Sequence, residues 1–137
     1  MYILEKIQKG LFLVAGITVV LSACAEPNKG AFTDQQICIA VVASVMGRNP
    51  SIVKVDSVKG NITYLSYVRS GDGTHWKYKC MLEGNKAIWA TDTGRWRTDQ
   101  YDSKITYSVR ERELRISEKY PDGSGGTKKY SIEKLGG

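Results

Sequence analysis

Residues able to carry reactive chemistry are few. The chain has one histidine, His75, and three cysteines, Cys24, Cys38 and Cys80. A nucleophile needs an adjacent base. His75 follows the turn-forming segment Gly71-Asp72-Gly73-Thr74, and no Gly-x-Ser-x-Gly segment supplies an activated serine. Asp92, Asp99 and Asp102 fall within one stretch, and paired carboxylates do acid and base work in glycoside hydrolysis. Aspartates so placed more commonly form turns, because the side chain bonds its own backbone two residues on. Scattered cysteines and a lone histidine lack zinc-ligand spacing. Asp122-Gly123-Ser124-Gly125-Gly126 is a glycine-rich turn with neither calcium-loop nor phosphate-loop spacing. These residues point away from an enzyme, a metal site or a cofactor.

Binding has more material. Residues 89–98 combine Trp89 and Trp96 with Arg95 and Arg97 around Gly94. Tryptophan and arginine are enriched at binding hot spots because they join contact area to directional polar groups. The plainer explanation is a core tryptophan flanked by solvated arginines, since Trp89 lies within a strand pattern. A second candidate is the row of Lys77 and Lys79, extended by His75. Such rows commonly serve only solubility and edge protection.

The elements that must position these groups are one helix and a run of strands. Thr33-Asp34-Gln35-Gln36 is a capping box, with Phe32 and Ile37 spaced as a hydrophobic staple. Ile37, Cys38, Val41, Val42, Val45 and Met46 recur at helical spacing, and Gly47 with Asn49-Pro50 supplies the stop. From Ser51 onward short alternating segments are separated by turns at Lys59-Gly60-Asn61, at Ser70-Gly71-Asp72-Gly73, at Glu83-Gly84-Asn85 and across residues 121–126. In the segment after Thr74, alternation sets Trp76, Tyr78, Cys80 and Leu82 on a core face and His75, Lys77, Lys79 and Met81 on the other. The expected fold is α+β: an N-terminal helix on an antiparallel meander of about seven strands, a curled sheet or partly open barrel.

The first residues carry an address. Lys6 and Lys9 precede an uncharged run over 11–23, which as a helix reaches about 20 Å and is short for a bilayer core of about 30 Å. This is the layout of a secretory signal. Leu21-Ser22-Ala23-Cys24 resembles the lipobox of bacterial lipoproteins. The resemblance implies cleavage before Cys24, attachment of diacylglycerol and palmitate there, and contact with membrane lipid through the acylated Cys24. With Ala25 following, it further implies a periplasm-facing place on the outer membrane. Residues 1–23 are then a signal peptide, 24–31 a lipidated tether and 32–137 one globular domain. As a whole the chain resembles the small enterobacterial-type lipoproteins. Export to an oxidising compartment, with Cys24 committed to lipid, leaves Cys38 and Cys80 to form a disulfide.

The 137 residues are 42% hydrophobic and 25% charged, which describes an ordinary globular chain. Twenty basic residues face 14 acidic ones, and removing Lys6, Lys9 and Glu5 with the signal leaves 18 against 13. A positive balance favours an anionic envelope component or an acidic envelope protein. Nucleic acid is not the expected partner of an exported, tethered domain. In linear order the charge reads as mixed, as in Arg110-Glu111-Arg112-Glu113-Leu114-Arg115. The expectation is a membrane-anchored, periplasm-facing lipoprotein that acts as a non-enzymatic binding module for a protein or cell-envelope component. The other readings are a structural accessory of envelope assembly, an immunity or superinfection-exclusion lipoprotein, and a lysozyme-inhibitor-like barrel. Mass spectrometry of native protein is expected to show an acylated Cys24 at the N-terminus; an intact Met1 or an unacylated, reduced chain would overturn this address.

Overall fold

The computed structural model describes residues 27–136. The signal segment, the lipobox and Cys24 lie outside the described residues. Helix α1 (Asp34–Met46) starts where its cap chemistry dictates. Thr33 Oγ1 accepts from the Gln36 amide at 3.1 Å, and Gln36 Oε1 accepts from the Thr33 amide at 2.9 Å, so two otherwise orphaned donors are satisfied. Gly47 ends the helix at φ 64°, a left-handed conformation that a side chain disfavours. Burial is wider than the expected stripe: Ala40, Ala43 and Ser44 are enclosed with Ile37, Cys38, Val41 and Val42, whereas Val45 and Met46 are only partly covered.

The reason is the shape of the sheet. Strands β1 (Lys54–Lys59), β2 (Ile62–Val68), β3 (His75–Glu83), β4 (Lys86–Thr91), β5 (Lys104–Arg110), β6 (Glu113–Lys119) and β7 (Gly125–Ser131) form one antiparallel meander in chain order. It does not close into a barrel. The sheet curls instead, so that β1, β2, β3, β4 and β6 all touch α1. A short 3-10 turn at Ile132–Leu135 covers the start of the helix, where the Gln36 side-chain amide donates to the Leu135 carbonyl at 3.3 Å. Every buried apolar residue among the described ones lies between Phe32 and Leu135, so the domain encloses its own core.

Register fixes which side chains face the helix. Leu65 pairs with Tyr78, Thr63 with Cys80, and Cys80 with Trp89, and all of these point inward. Cys38 and Cys80 form the expected disulfide, with Cα atoms 5.8 Å apart, joining α1 to the middle of the sheet. Trp76 shares this face but sits at its margin and remains 37% exposed, less buried than its alternation suggests.

Two features depart from a plain meander. The connection after β5 uses Glu111 at φ 57°, a non-glycine residue in the left-handed region. Strands β4 and β5 pair only at Lys86 with Thr106 and Ala87 with Ile105, after which they separate. Residues 92–103 fill the opening. The Arg97 amide donates to the Trp89 carbonyl at 3.0 Å, in place of the missing strand neighbour.

Both disulfide residues are almost wholly buried, at 1% and 0% exposure. Closing a loop across a separation of 42 residues stabilises the fold by about 4 kcal/mol on the chain-entropy argument. A Cys38→Ala/Cys80→Ala variant is expected to lose about that much unfolding free energy in a urea titration. A loss below about 1 kcal/mol would show that packing alone holds α1 in the sheet.

Candidate functional site

The candidate binding residues divide between the two faces of the sheet. Trp89 faces inward, where it continues an aromatic row. Arg48 lies over the Tyr67 ring at 5.4 Å, Tyr67 stacks with Tyr78 at 6.0 Å, Tyr78 meets Trp89 at 6.1 Å, and Arg97 lies over Trp89 at 5.4 Å. The row is part of the core, closed at each end by a guanidinium on a ring face. Burial, with the Tyr67 hydroxyl beside it, pushes the Tyr78 phenol above its usual range.

Trp96 faces the other way. Lys79 Nζ lies 4.5 Å from its ring centroid, and Lys79 pairs with Ala90 on the outer face. Tyr64 pairs with Lys79 from the other side, and Lys59 Nζ sits 5.5 Å over the Tyr64 ring. Lys59, Tyr64, Lys79 and Trp96 thus make a row of alternating cations and rings across the strands. The structure separates Trp89 from Trp96 and joins Trp96 to Lys79, a pairing that sequence spacing does not reveal.

The outer face as a whole is basic. On its first half the register sets Lys54 and Lys59 of β1, Lys77 and Lys79 of β3, and Lys86 of β4. On its second half it sets Lys104 and Arg110 of β5, Arg115 and Lys119 of β6, and Lys129 of β7. Strand carboxylates on that face are Asp56, Glu83 and Glu113, so ten basic groups meet three acidic ones. That surplus of seven exceeds the net charge of +6 for the whole chain. Among the described residues, Arg115 is the one member of the ten with a carboxylate within ion-pair distance, Glu113 at 2.9 Å. The other five ion pairs lie off this face and involve Lys29, Arg69, Arg95, Arg97 and Arg112.

The loop that carries Trp96 is held by Asp102. Its carboxylate accepts from Arg95 at 2.8 and 3.1 Å and from the Asp99 amide at 2.9 Å, and Arg97 stands 3.7 Å away. The Arg95 guanidinium holds the Asp102 carboxyl down to about 2, against partial desolvation that pushes it up. Arg95 is therefore committed to ordering the loop. Tyr101, at the tip of the same loop, is 79% exposed.

His75, Asp92 and Asp99, which acid and base chemistry would need in one place, do not share a recess. His75 and Asp92 line a shallow groove of about 330 Å³ on the outer face with Asp56, Lys59, Tyr64 and Lys77. Asp99 lines a different recess, at the opening between β4 and β5, with Arg97 and Lys104. Among the described residues no three His, Cys, Asp or Glu side chains are placed to hold a metal ion. No protein-family model, curated protein or solved structure matches the chain.

Asp102 titrates below the ordinary carboxylate range of about 3.9, so its contribution is complete above about pH 4 and is lost as the pH falls through about 2. Asp102→Asn is expected to lower the protection factor of the Asp99 amide, measured against its intrinsic exchange rate, and to remove the pH dependence of that protection between pH 4 and 2. Unchanged protection at Asp99 would show that the loop is ordered without this carboxylate.

Proposed function

We propose that the protein is a lipid-anchored, periplasm-facing lipoprotein of the outer membrane that acts as a non-enzymatic binding module for an anionic component of the cell envelope. The observation that carries this reading is the surplus of seven positive charges on one face of the sheet. Lysines left without carboxylate partners keep their full field for a ligand, whereas paired ones spend it internally. The Cys38–Cys80 disulfide supports an oxidising compartment, and Leu21-Ser22-Ala23-Cys24 supports the anchor. The Lys59-Tyr64-Lys79-Trp96 row crosses the first half of the binding face. Trp89, Arg95 and Arg97 act behind it, as core, loop support and ring cap.

A photoreactive residue placed at Lys77, on the face, is expected to crosslink in intact cells to a phosphate- or carboxylate-bearing envelope component. The same residue placed at Lys134, on the 3-10 turn, is expected to yield little. Equal products from both positions, or none from Lys77, would defeat the reading.

A further inference from the structure

We infer that the anionic partner of the outer face is the phosphate surface of a bilayer, so that the domain lies sheet-down on the membrane. This rests on the proposed binding role of that face and adds its occupant. Three observations favour lipid head groups over a specific macromolecule. The basic residues are eight lysines to two arginines, and lysine acts as a point charge where arginine reads paired oxygens through its planar fork. They are spread over all the strands except β2, and the shallow groove they border also carries Asp56 and Asp92, which disfavours a compact anion there. Tyr64 and Trp96, partly exposed amphipathic rings, stand beside Ile62, Met81 and Ile88 on the same face, a mixture suited to the boundary between head groups and water.

The chain enters the fold at the rim of the sheet, beside β5. Residues 28–31 turn against the β5–β6 connection, where a Cβ on Gly30 would stand 3.0 Å from Val109 Cγ1. From Asn28 back to position 24 the chain spans at most about 14 Å. An anchor at Cys24 holds the domain at the bilayer, and tethering raises the effective concentration of the basic face there.

The test uses the chain from residue 24 onward with Cys24→Ser, so that no acyl chain contributes, and sedimentation with phosphatidylcholine vesicles with or without phosphatidylglycerol. Binding is expected to the anionic vesicles and not to the neutral ones, and to disappear when salt is raised from about 0.1 to about 0.5 M. Lys54→Gln/Lys77→Gln removes two charges from the face and is expected to weaken binding about 25-fold. Arg112→Gln/Lys134→Gln removes two charges from elsewhere and is expected to change it less than about threefold. Equal losses in the two variants, or equal binding to neutral vesicles, would overturn the inference. Failure to bind vesicles, with retention of an acidic polysaccharide or acidic peptide that depends on Lys54 and Lys77, would overturn the bilayer as occupant and leave the binding face standing. Failure with all three would remove the binding reading as well.

Discussion

A helix that is apolar almost throughout after its first turn has to be enclosed on several sides by a single sheet. In α1 the buried positions run through Ile37, Cys38, Ala40, Val41, Val42 and Ala43, too broad a surface for a flat sheet to cover. The seven strands answer by curling around it, and the 3-10 turn at Ile132–Leu135 covers its start. Once the inner face of each strand is committed to that contact, period-two alternation sends nearly every strand charge outward. The inner strand positions retain only Glu118 and Lys128, both near the margin, where Lys128 Nζ donates to the Ser44 carbonyl at 2.9 Å. The disulfide at Cys80 secures the helix to the middle of this arrangement, so the enclosure of α1 and the one-sidedness of the sheet have a common cause.

Much of the fold was legible in the chain because its signals are local. The capping box at Thr33 and Gln36, the stop at Gly47, the glycine turns at Gly60 and Gly84, and the alternation of β3 each depend on neighbouring residues alone. The pairing of Cys38 with Cys80 followed from arithmetic and compartment. The turn at Glu111 was illegible because a non-glycine residue occupies the left-handed region there. The separation of β4 from β5 was illegible because it depends on how Asp102 gathers Arg95 and the Asp99 amide across the loop, a matter of tertiary geometry.

The candidate surface was only half visible for a related reason. Lys77 and Lys79 were identifiable as an outward row, but Trp89 and Trp96 looked like parts of one cluster and are directed to opposite faces. The segment around Arg110 read as mixed charge because linear order interleaves strand and turn residues. Arg110, Glu113 and Arg115 belong to the outer face, whereas Glu111 and Arg112 occupy the connection beyond it. Net charge is a property of composition, but a field is a property of register.

The arrangement of those charges also bears on the role proposed for the face. Where β3 meets β4 and β5 meets β6, Glu83 pairs with Lys86 and Arg110 with Glu113, the alternation expected of a sheet stabilised by cross-strand attraction. Elsewhere the same face sets Lys104 directly across from Lys119, and Arg115 across from Lys129. Like charges so placed destabilise a sheet by a few tenths to about 1 kcal/mol each, and Glu113 relieves only the second pair. A sheet arranged for stability alone would carry a glutamate at one of these lysine positions. The repulsion instead raises the field above the face, and an anionic surface brought against it relieves the repulsion and gains the attraction together.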